Sequence, residues 1–297
     1  MMSSDLALVL RVADVLVPVF ALVAVGFIYA RRFSADIRVA NELNMRLFVP
    51  ALVFDSLTQK NFDIAAFPLL MAAGAMVVIG SGLLAWPAAR ISRQSIASFV
   101  PPMMFNNCGN MGLPVALLAF GEKGLQLALV LFLISNILHF TLGVRIVSGR
   151  MHFREVFFNA VNVATIAGIF FSLQQIQLPP IASVPVSMAG QVAIPLMLVS
   201  LGIRMAGFNS SLLSIGLFAG VMRPLLGLLC AFLVIQLLPL DPFEEKLLIL
   251  FAAMPPAVLN FLFAEQWGQS PQAVASMVVV GNALSIGVLY GVLMFIL

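Results

Sequence analysis

Two apolar segments of the chain carry clusters of helix-interrupting residues that could form a binding site inside a membrane. In the first, three asparagines, two glycines and a proline fall within nine residues, in the run Asn106-Asn107-Cys108-Gly109-Asn110-Met111-Gly112-Leu113-Pro114. In the second, Pro255 and Pro256 are followed by Asn260. Glycine and proline disfavour a continuous helix. Broken backbone at membrane depth is tolerated only where it is buried in protein or lines a wet cavity.

The chemistry of these segments favours a small ionic ligand. The ends of interrupted helices present unpaired N–H and C=O groups, which bind anions and cations respectively. Asparagine carboxamides add neutral donors and acceptors without the cost of a buried charge. A packing role stays open as the alternative, because glycine and proline are common in membrane helices and asparagine pairs between helices. The predicted substrate-binding residues of the two segments are Asn107, Gly109, Asn110, Gly112, Pro114, Pro255, Pro256 and Asn260.

Arg223 is a further candidate for substrate binding, because it lies in the middle of an apolar run directly before Pro224. A cation near the membrane midplane costs about 2.5 to 3.5 kcal/mol on insertion scales, so it should face a cavity, a partner or an anionic substrate. Two interpretations stay open. Arg223 either binds the substrate or caps the backbone carbonyls that Pro224 frees in the preceding turn.

Other polar residues inside apolar runs have simpler explanations. Arg46 follows Glu42 by four positions, which predicts an ion pair within one helix. His139 could carry a proton near neutral pH or could be a packing residue with one hydrogen bond. Asn136 and Asn282 could be substrate ligands or contacts between helices.

The composition requires a membrane around most of the chain. Of the 297 residues, 62% are hydrophobic and 9% are charged, whereas about 25% of a soluble protein is charged. Since a membrane-spanning helix takes about 20 residues, a chain of this length has room for about ten spans and for no sizeable soluble domain. The sequence therefore predicts an all-α polytopic membrane protein.

Apolar runs bounded by charges or by Pro, Gly and Asn clusters mark ten spans. They cover residues 12–30, 39–57, 65–89, 96–119, 124–147, 158–177, 183–206, 212–238, 246–266 and 272–296. Nine basic residues fall in odd-numbered loops: Arg31, Arg32, Arg38, Arg90, Arg93, Arg145, Arg150, Arg154 and Arg204. Four fall on the other side: Arg11, Lys60, Lys123 and Lys246. The positive-inside rule then predicts that both termini lie outside.

The ten spans predict two inverted halves. The longest polar connection, Ser148 to Glu155, separates five spans from five, so residues 1–150 and 151–297 form two repeats of opposite orientation. Asn136 matches Asn282 at an offset of 146 residues, and the same offset sets Pro114 opposite Asn260. The interrupted spans are then spans 4 and 9, at equivalent positions of the two halves, which is the best sequence indication of a transporter's binding site.

Several classes of protein are disfavoured. Cys108 and Cys230 lie 122 positions apart without a CxxC motif, and with two histidines they predict neither a disulfide framework nor a metal site. No HExxH, no GxSxG and no paired mid-span carboxylates indicate an enzyme, and we expect no cofactor. The basic residues are few and scattered, which disfavours nucleic-acid binding. A membrane scaffold has no need of two broken helices.

The first interrupted segment resembles a known family signature. Asn107-Cys108-Gly109-Asn110-Met111-Gly112-Leu113-Pro114, followed by Phe120-Gly121-Glu122-Lys123-Gly124, is similar to the N-x-G-x-x-G-x-P and F-G-x-x-G motifs of the auxin efflux carrier family. That family includes plant PIN-type exporters and bacterial malate or malonate permease-like members. The resemblance extends to Val49-Pro50-Ala51-Leu52-Val53-Phe54 and to the segment from Met254 to Glu265.

The resemblance implies a ten-helix 5+5 inverted-topology repeat in which spans 4 and 9 are broken and cross at a site for an anionic carboxylate. It also implies a scaffold of spans 1, 2, 6 and 7, a mobile transport domain of spans 3–5 and 8–10, an elevator-type motion, and a homodimer in the bacterial inner membrane. Asn260 stands where plant members have proline, and position 46 is arginine, so plant-type auxin selectivity is not implied. A sodium- or proton-coupled symporter of the bile-acid or sodium/proton-exchanger kind is the alternative.

Overall fold

The computed structural model describes residues 2–33, 37–59, 66–150, 158–207 and 212–297. Lys60 and Arg154, which contribute to the predicted orientation, lie outside the described residues, as do residues 151–157 of the central connection. Within the described ranges the protein is almost entirely helical and forms no β-strand beyond one isolated bridge. The all-α prediction is therefore confirmed.

The helices, in chain order, are α1 (Met2–Arg32), α2 (Arg38–Leu43), α3 (Val49–Leu57), α4 (Pro68–Ile91), α5 (Ile96–Met104), α6 (Leu113–Leu138), α7 (Val144–Ser148), α8 (Ala160–Leu173), α9 (Pro180–Ala206), α10 (Leu213–Leu237), α11 (Pro242–Ala253), α12 (Val258–Gln266) and α13 (Pro271–Ile296). Three π-helical stretches, Asn44–Phe48, Cys108–Gly112 and His139–Gly143, join neighbouring helices.

Six helical stretches of the described chain are long and apolar enough to cross a membrane. They are Asp5–Arg32, Pro68–Ile91, Cys108–Ser148, Pro180–Ala206, Leu213–Leu237 and Pro271–Ile296, and α8 is a shorter apolar helix. Large apolar side chains on these helices are exposed, among them Val17, Leu83 and Phe295. Lipid is the medium in which such surfaces are stable, so the protein is an integral membrane protein.

Gly121 divides the longest of these stretches. Cys108–Ser148 has 41 residues and would extend about 60 Å if it were straight, about twice the thickness of the hydrocarbon core. At Gly121 the backbone leaves the helical region, with φ 68° and ψ −161°, a conformation that only glycine adopts at little cost. The stretch is therefore two helical segments that meet at Gly121.

Both predicted interruptions occur. Between α5 and the following π-helix, residues 105–107 are not helical, and between α11 and α12 residues 254–257 are not helical. We call these segments break 1 (residues 105–107) and break 2 (residues 254–257). Break 1 is shorter than the sequence predicts, because Cys108–Gly112 is π-helical and Pro114 lies in the first turn of α6.

The π-helical stretch explains how the chain becomes helical again so soon. Proline has no N–H, and its ring crowds the carbonyl of the residue four positions earlier. The wider π-helical turn, in which Leu113 N donates to Cys108 O, comes directly before Pro114 and changes the hydrogen-bond register there. Asn44–Phe48 stands in the same relation to Pro50, at the start of α3.

The contacts divide the chain into two compact units. Unit 1 comprises Met1–Phe20, Leu69–Met151 and Gly207–Leu297, and unit 2 comprises Ala21–Pro68 and His152–Ala206. Both breaks lie in unit 1. Each unit takes segments from both halves of the chain, so the units do not coincide with the two halves, and one boundary between them falls within α1.

Inside unit 1, α10 and α13 pack closely against each other. A Cβ on Gly220 would lie 3.1 Å from the Cα of Gly281, and one on Gly216 would lie 2.6 Å from Ser276 Oγ. Small residues allow membrane helices to approach backbone to backbone, where van der Waals packing is strongest.

Within unit 2, Gly202 lies against the backbone of Val23 and Phe27, so α9 packs on the second part of α1 in the same way. The predicted ion pair on α2 and the following π-helical stretch is also present, since Arg46 Nε lies 3.2 Å from Glu42 Oε1. This pair explains Arg46 without a substrate, as the sequence predicts.

Candidate functional site

Break 2 arises because two prolines remove consecutive helical hydrogen bonds. In a continuous helix, the N–H groups of residues 255 and 256 would bond to the carbonyls of Phe251 and Ala252, and proline has no N–H. Both carbonyls find side-chain donors instead. Asn106 Nδ2 donates to Phe251 O, and Arg223 Nη1 donates to Ala252 O at 3.0 Å.

The two breaks are bonded to each other through their backbones. Asn107 N donates to Pro255 O at 2.7 Å, and Ala257 N donates to Phe105 O at 3.0 Å. Asn106 and Pro256 thereby form an antiparallel bridge. Each break satisfies backbone groups that the other leaves without a helical partner, which is the condition for broken backbone to be stable at membrane depth.

Asn107 of break 1 is joined to α13 by an amide–amide hydrogen bond. Its Nδ2 donates to Asn282 Oδ1 at 2.7 Å. Asn282 Nδ2 in turn donates to Pro256 O at 3.0 Å and to Val278 O at 2.8 Å. Asn282 therefore contacts both breaks, and both of its N–H groups are used.

Asn260, in the first turn of α12, likewise uses both of its side-chain N–H groups. Its Nδ2 donates to Phe105 O at 3.0 Å and to Ala257 O at 3.1 Å. Its Oδ1 lies 2.9 Å from His139 Nε2. Since both N–H groups of the amide are engaged with backbone, Asn260 holds the breaks together and has no N–H left for an anion.

Arg223 is completely buried, with 0% of its surface exposed. Its Nη1 bonds to Ala252 O, whereas Nε and Nη2 have no hydrogen-bond partner among the described residues. The carbonyl that it caps belongs to α11 and not to its own helix, so the capping interpretation holds in part and with a different acceptor.

Gly227 makes the approach of Arg223 to α11 possible. A Cβ at this position would collide with both Ala252 O and Arg223 Nη1. Gly227 lies one turn after Arg223 on the same face of α10. The absence of its side chain is what lets the end of α11 lie against the guanidinium.

The remaining predicted residues lie on the helical side of break 1. A Cβ on Gly109 would lie 3.0 Å from the ring of Phe132, and one on Gly112 would lie 3.7 Å from Met254 Cγ. Pro114 is buried in the first turn of α6, and Asn110 is partly buried in the π-helix. Cys108, Gly112 and Met254 also line a small, mostly apolar cavity.

Three residues of this network were not among the predicted site residues. Asn106 stands next to Asn107 in the interrupted segment, so the sequence pattern was sufficient to identify it as a candidate site residue. Asn282 was indicated by its repeat relation to Asn136, but the pattern left its role open. His139 had no signal beyond being polar in an apolar run, because its contact with Asn260 spans 121 positions.

Two broken helices at a common site inside the membrane are a feature of many secondary transporters. The family model described as "Membrane transport protein" matches residues 12–154 and 146–292. The chain therefore belongs to this family, which is the auxin efflux carrier-like family that the motif beginning at Asn107 indicates.

Two relatives are similar to the chain over nearly its whole length. An uncharacterized transporter of Methanocaldococcus jannaschii is 21% identical over 298 residues, which cover 92% of this chain and 95% of the relative. A protein of Rhizobium meliloti named "Putative malonate transporter" is 23% identical over 314 residues, which cover 96% of each. The family and both relatives are transporters and not enzymes.

Proposed function

We propose that the protein is a secondary transporter that moves a small carboxylate or dicarboxylate by alternating access at the paired breaks. The observation that carries the proposal is the buried guanidinium of Arg223 beside break 2, with Nε and Nη2 unpartnered within the described structure. A buried cation without an acidic partner is costly. A carboxylate that neutralises it on binding would offset this cost.

The side-chain N–H groups that are not already hydrogen-bonded limit which residues can bind the substrate. Asn260 and Asn282 have no N–H to spare. Asn107 uses one N–H of its amide on Asn282, which leaves the other for a ligand. We therefore propose that Asn107, Asn110 and Arg223 bind the anion, together with backbone N–H groups at the helix starts after the breaks. The other predicted residues shape the site around these three ligands: Gly109, Gly112, Pro114, Pro255, Pro256 and Asn260.

The proposed topology is ten spans in a 5+5 inverted repeat, with spans 4 and 9 broken and crossing. The helix bounds support it: Gly121 separates a fourth span from a fifth, and α11 with α12 supplies a broken ninth. On the positive-inside rule, applied to these spans, we propose that both termini lie outside the bacterial inner membrane.

The two compact units support a division into a scaffold and a transport domain. Unit 1 contains the proposed spans 3–5 and 8–10 with both breaks and the first part of span 1, and unit 2 contains spans 2, 6 and 7 with the rest of span 1. In this proposal unit 1 carries the site in an elevator-type motion and exposes it to each side in turn, while unit 2 forms a homodimer.

The test is uptake of labelled malonate by the purified protein in liposomes. Malonate is the first substrate because the similar protein of Rhizobium meliloti is named "Putative malonate transporter". Acetate as competitor gives the monocarboxylate comparison, and gradients of sodium or pH, applied singly, test the symporter alternative. We expect saturable malonate uptake that Asn107→Ala abolishes while folding is intact. Absence of uptake of any carboxylate would overturn the proposal.

A further inference from the structure

From the helical segment after Gly121, His139 contacts Phe105 of break 1 and Asn260, three residues after break 2. Its ring stacks on Phe105 of break 1, with centroids 4.0 Å apart and planes 7° from parallel. Its Nε2 lies 2.9 Å from Asn260 Oδ1, beside break 2. The imidazole is 4% exposed.

The surrounding contacts fix the orientation of the Asn260 amide. Its nitrogen faces the carbonyls of Phe105 and Ala257. A flipped amide would set its oxygen against two other acceptors, so the nitrogen must stay on that side. Oδ1 then faces His139 and can only accept. It follows that the imidazole is the donor and that its Nε2 carries the hydrogen.

The His139 ring is confined by two phenylalanine rings and by the close approach of Gly143. Phe263 meets it edge-on, with centroids 5.2 Å apart, and Phe105 covers one face. A Cβ on Gly143 would lie 2.8 Å from His139 Cδ2 and 2.9 Å from the ring of Phe105, so the glycine leaves the space that the stacked pair occupies. A ring confined in this way presents its N–H in one direction.

We propose that His139 is a positioning residue for the transport site, an inference that rests on the proposed function. Its N–H holds the Asn260 amide and the amide holds the Phe105 carbonyl. The helix starts after the two breaks thereby keep their backbone N–H groups in the geometry that a carboxylate needs. Its role is that of a neutral donor and requires no proton transfer. Alignment of binding groups before the ligand arrives lowers KM and need not alter the rate of the transport step.

Two substitutions separate the donor from the ring. His139→Gln keeps an N–H at similar reach and loses the aromatic ring, whereas His139→Phe keeps the stack on Phe105 and loses the donor. Thr141→Val is the matched control, because within the described part of the chain Thr141 Oγ1 bonds only to carbonyls of its own helical stretch, Ile137 O and Leu138 O. Each variant is compared at equal amounts of folded protein.

Malonate uptake should then distinguish the two His139 variants. For His139→Phe we expect KM to rise about tenfold with an unchanged maximal rate. For His139→Gln we expect KM within about threefold of the wild type and the same pH profile. Equal losses in both variants, or a flat pH profile in His139→Gln where the wild type has a sloping one, would overturn the proposal.

A second measurement is independent of transport. Thermal unfolding of His139→Phe, Asn260→Ala and the double variant forms a double-mutant cycle. We expect the double variant to lose less than the sum of the single losses, because both substitutions remove the same hydrogen bond. Additive losses would disprove the contact. If the wild type moves no carboxylate but the cycle shows coupling, the proposed function fails and the contact stands.

Discussion

Asn107 and Asn282 are 175 positions apart in the chain, and their side-chain amides are joined by a hydrogen bond of 2.7 Å. The same Asn282 donates to Pro256 O. One side chain of α13 thus supports both break 1 and break 2, and the geometry of the site depends on a helix that contains neither.

Replacing Asn282 should weaken both breaks. Asn282→Ala leaves the buried Pro256 carbonyl and the Asn107 amide each without one partner, which we expect to cost about 1 to 3 kcal/mol of unfolding free energy. Malonate uptake should fall more than about tenfold. Thermal unfolding and liposome uptake are the measurements. Asn159→Ala is the control, because it removes an amide cap from α8 in unit 2 and should cost about 1 kcal/mol without changing KM.

Removing the charge of Arg223 should separate function from stability. Burying a charge without an ionic partner is costly, and replacing even a buried ion pair by apolar side chains of similar volume is often neutral or stabilising by about 1 to 4 kcal/mol. The hydrogen bond lost to Ala252 O contributes about 1 kcal/mol. We therefore expect Arg223→Met to keep or raise the Tm and to abolish malonate uptake.

The control for Arg223→Met is Arg90→Met, at the exposed end of α4, which should leave uptake unchanged. If Arg223 serves only as a cap, the Tm of Arg223→Met must fall, and uptake per folded molecule must stay normal. Arg223→Lys, which keeps the charge but not the planar fork of donors, should retain part of the uptake.

Gly227 should tolerate no side chain. In Gly227→Ala the new methyl group collides with Ala252 O and Arg223 Nη1, so α11 or the guanidinium must move, at a cost of about 1 to 3 kcal/mol. Uptake should fall with the Tm. Gly291→Ala, later in the bundle on α13, meets nothing within 4 Å and should be neutral or slightly stabilising. Equal behaviour of the two variants would refute the role of Gly227.

Pro256 should be necessary for break 2. Pro256→Ala restores an N–H that can bond to Ala252 O and compete with Arg223 for that carbonyl. We expect α11 to lengthen, the new amide to exchange slowly with deuterium, and uptake to fall. Pro271→Ala is the matched control, because Pro271 is in the first turn of α13, where a missing N–H costs little. Fast exchange at residue 256 would show that the break persists without the proline.

The sequence alone determined those features of this protein whose physical causes are local. Apolar runs require lipid, Pro255 and Pro256 remove two helical donors from break 2, and the motif around Asn107 identifies the family. The pair Glu42 and Arg46 is local as well, since a spacing of four positions places the two side chains on one helix face.

What only the tertiary structure decided is which distant groups satisfy the broken backbone. The carbonyls of Phe251 and Ala252 need donors, but nothing in the sequence selects Asn106 and Arg223 as those donors. The same holds for His139, whose partner Asn260 comes from another helix. In a membrane every freed backbone group must find a partner inside the protein. Such partners are chosen by helix packing between segments that lie 29 to 145 positions apart in the chain, and no local pattern records that choice.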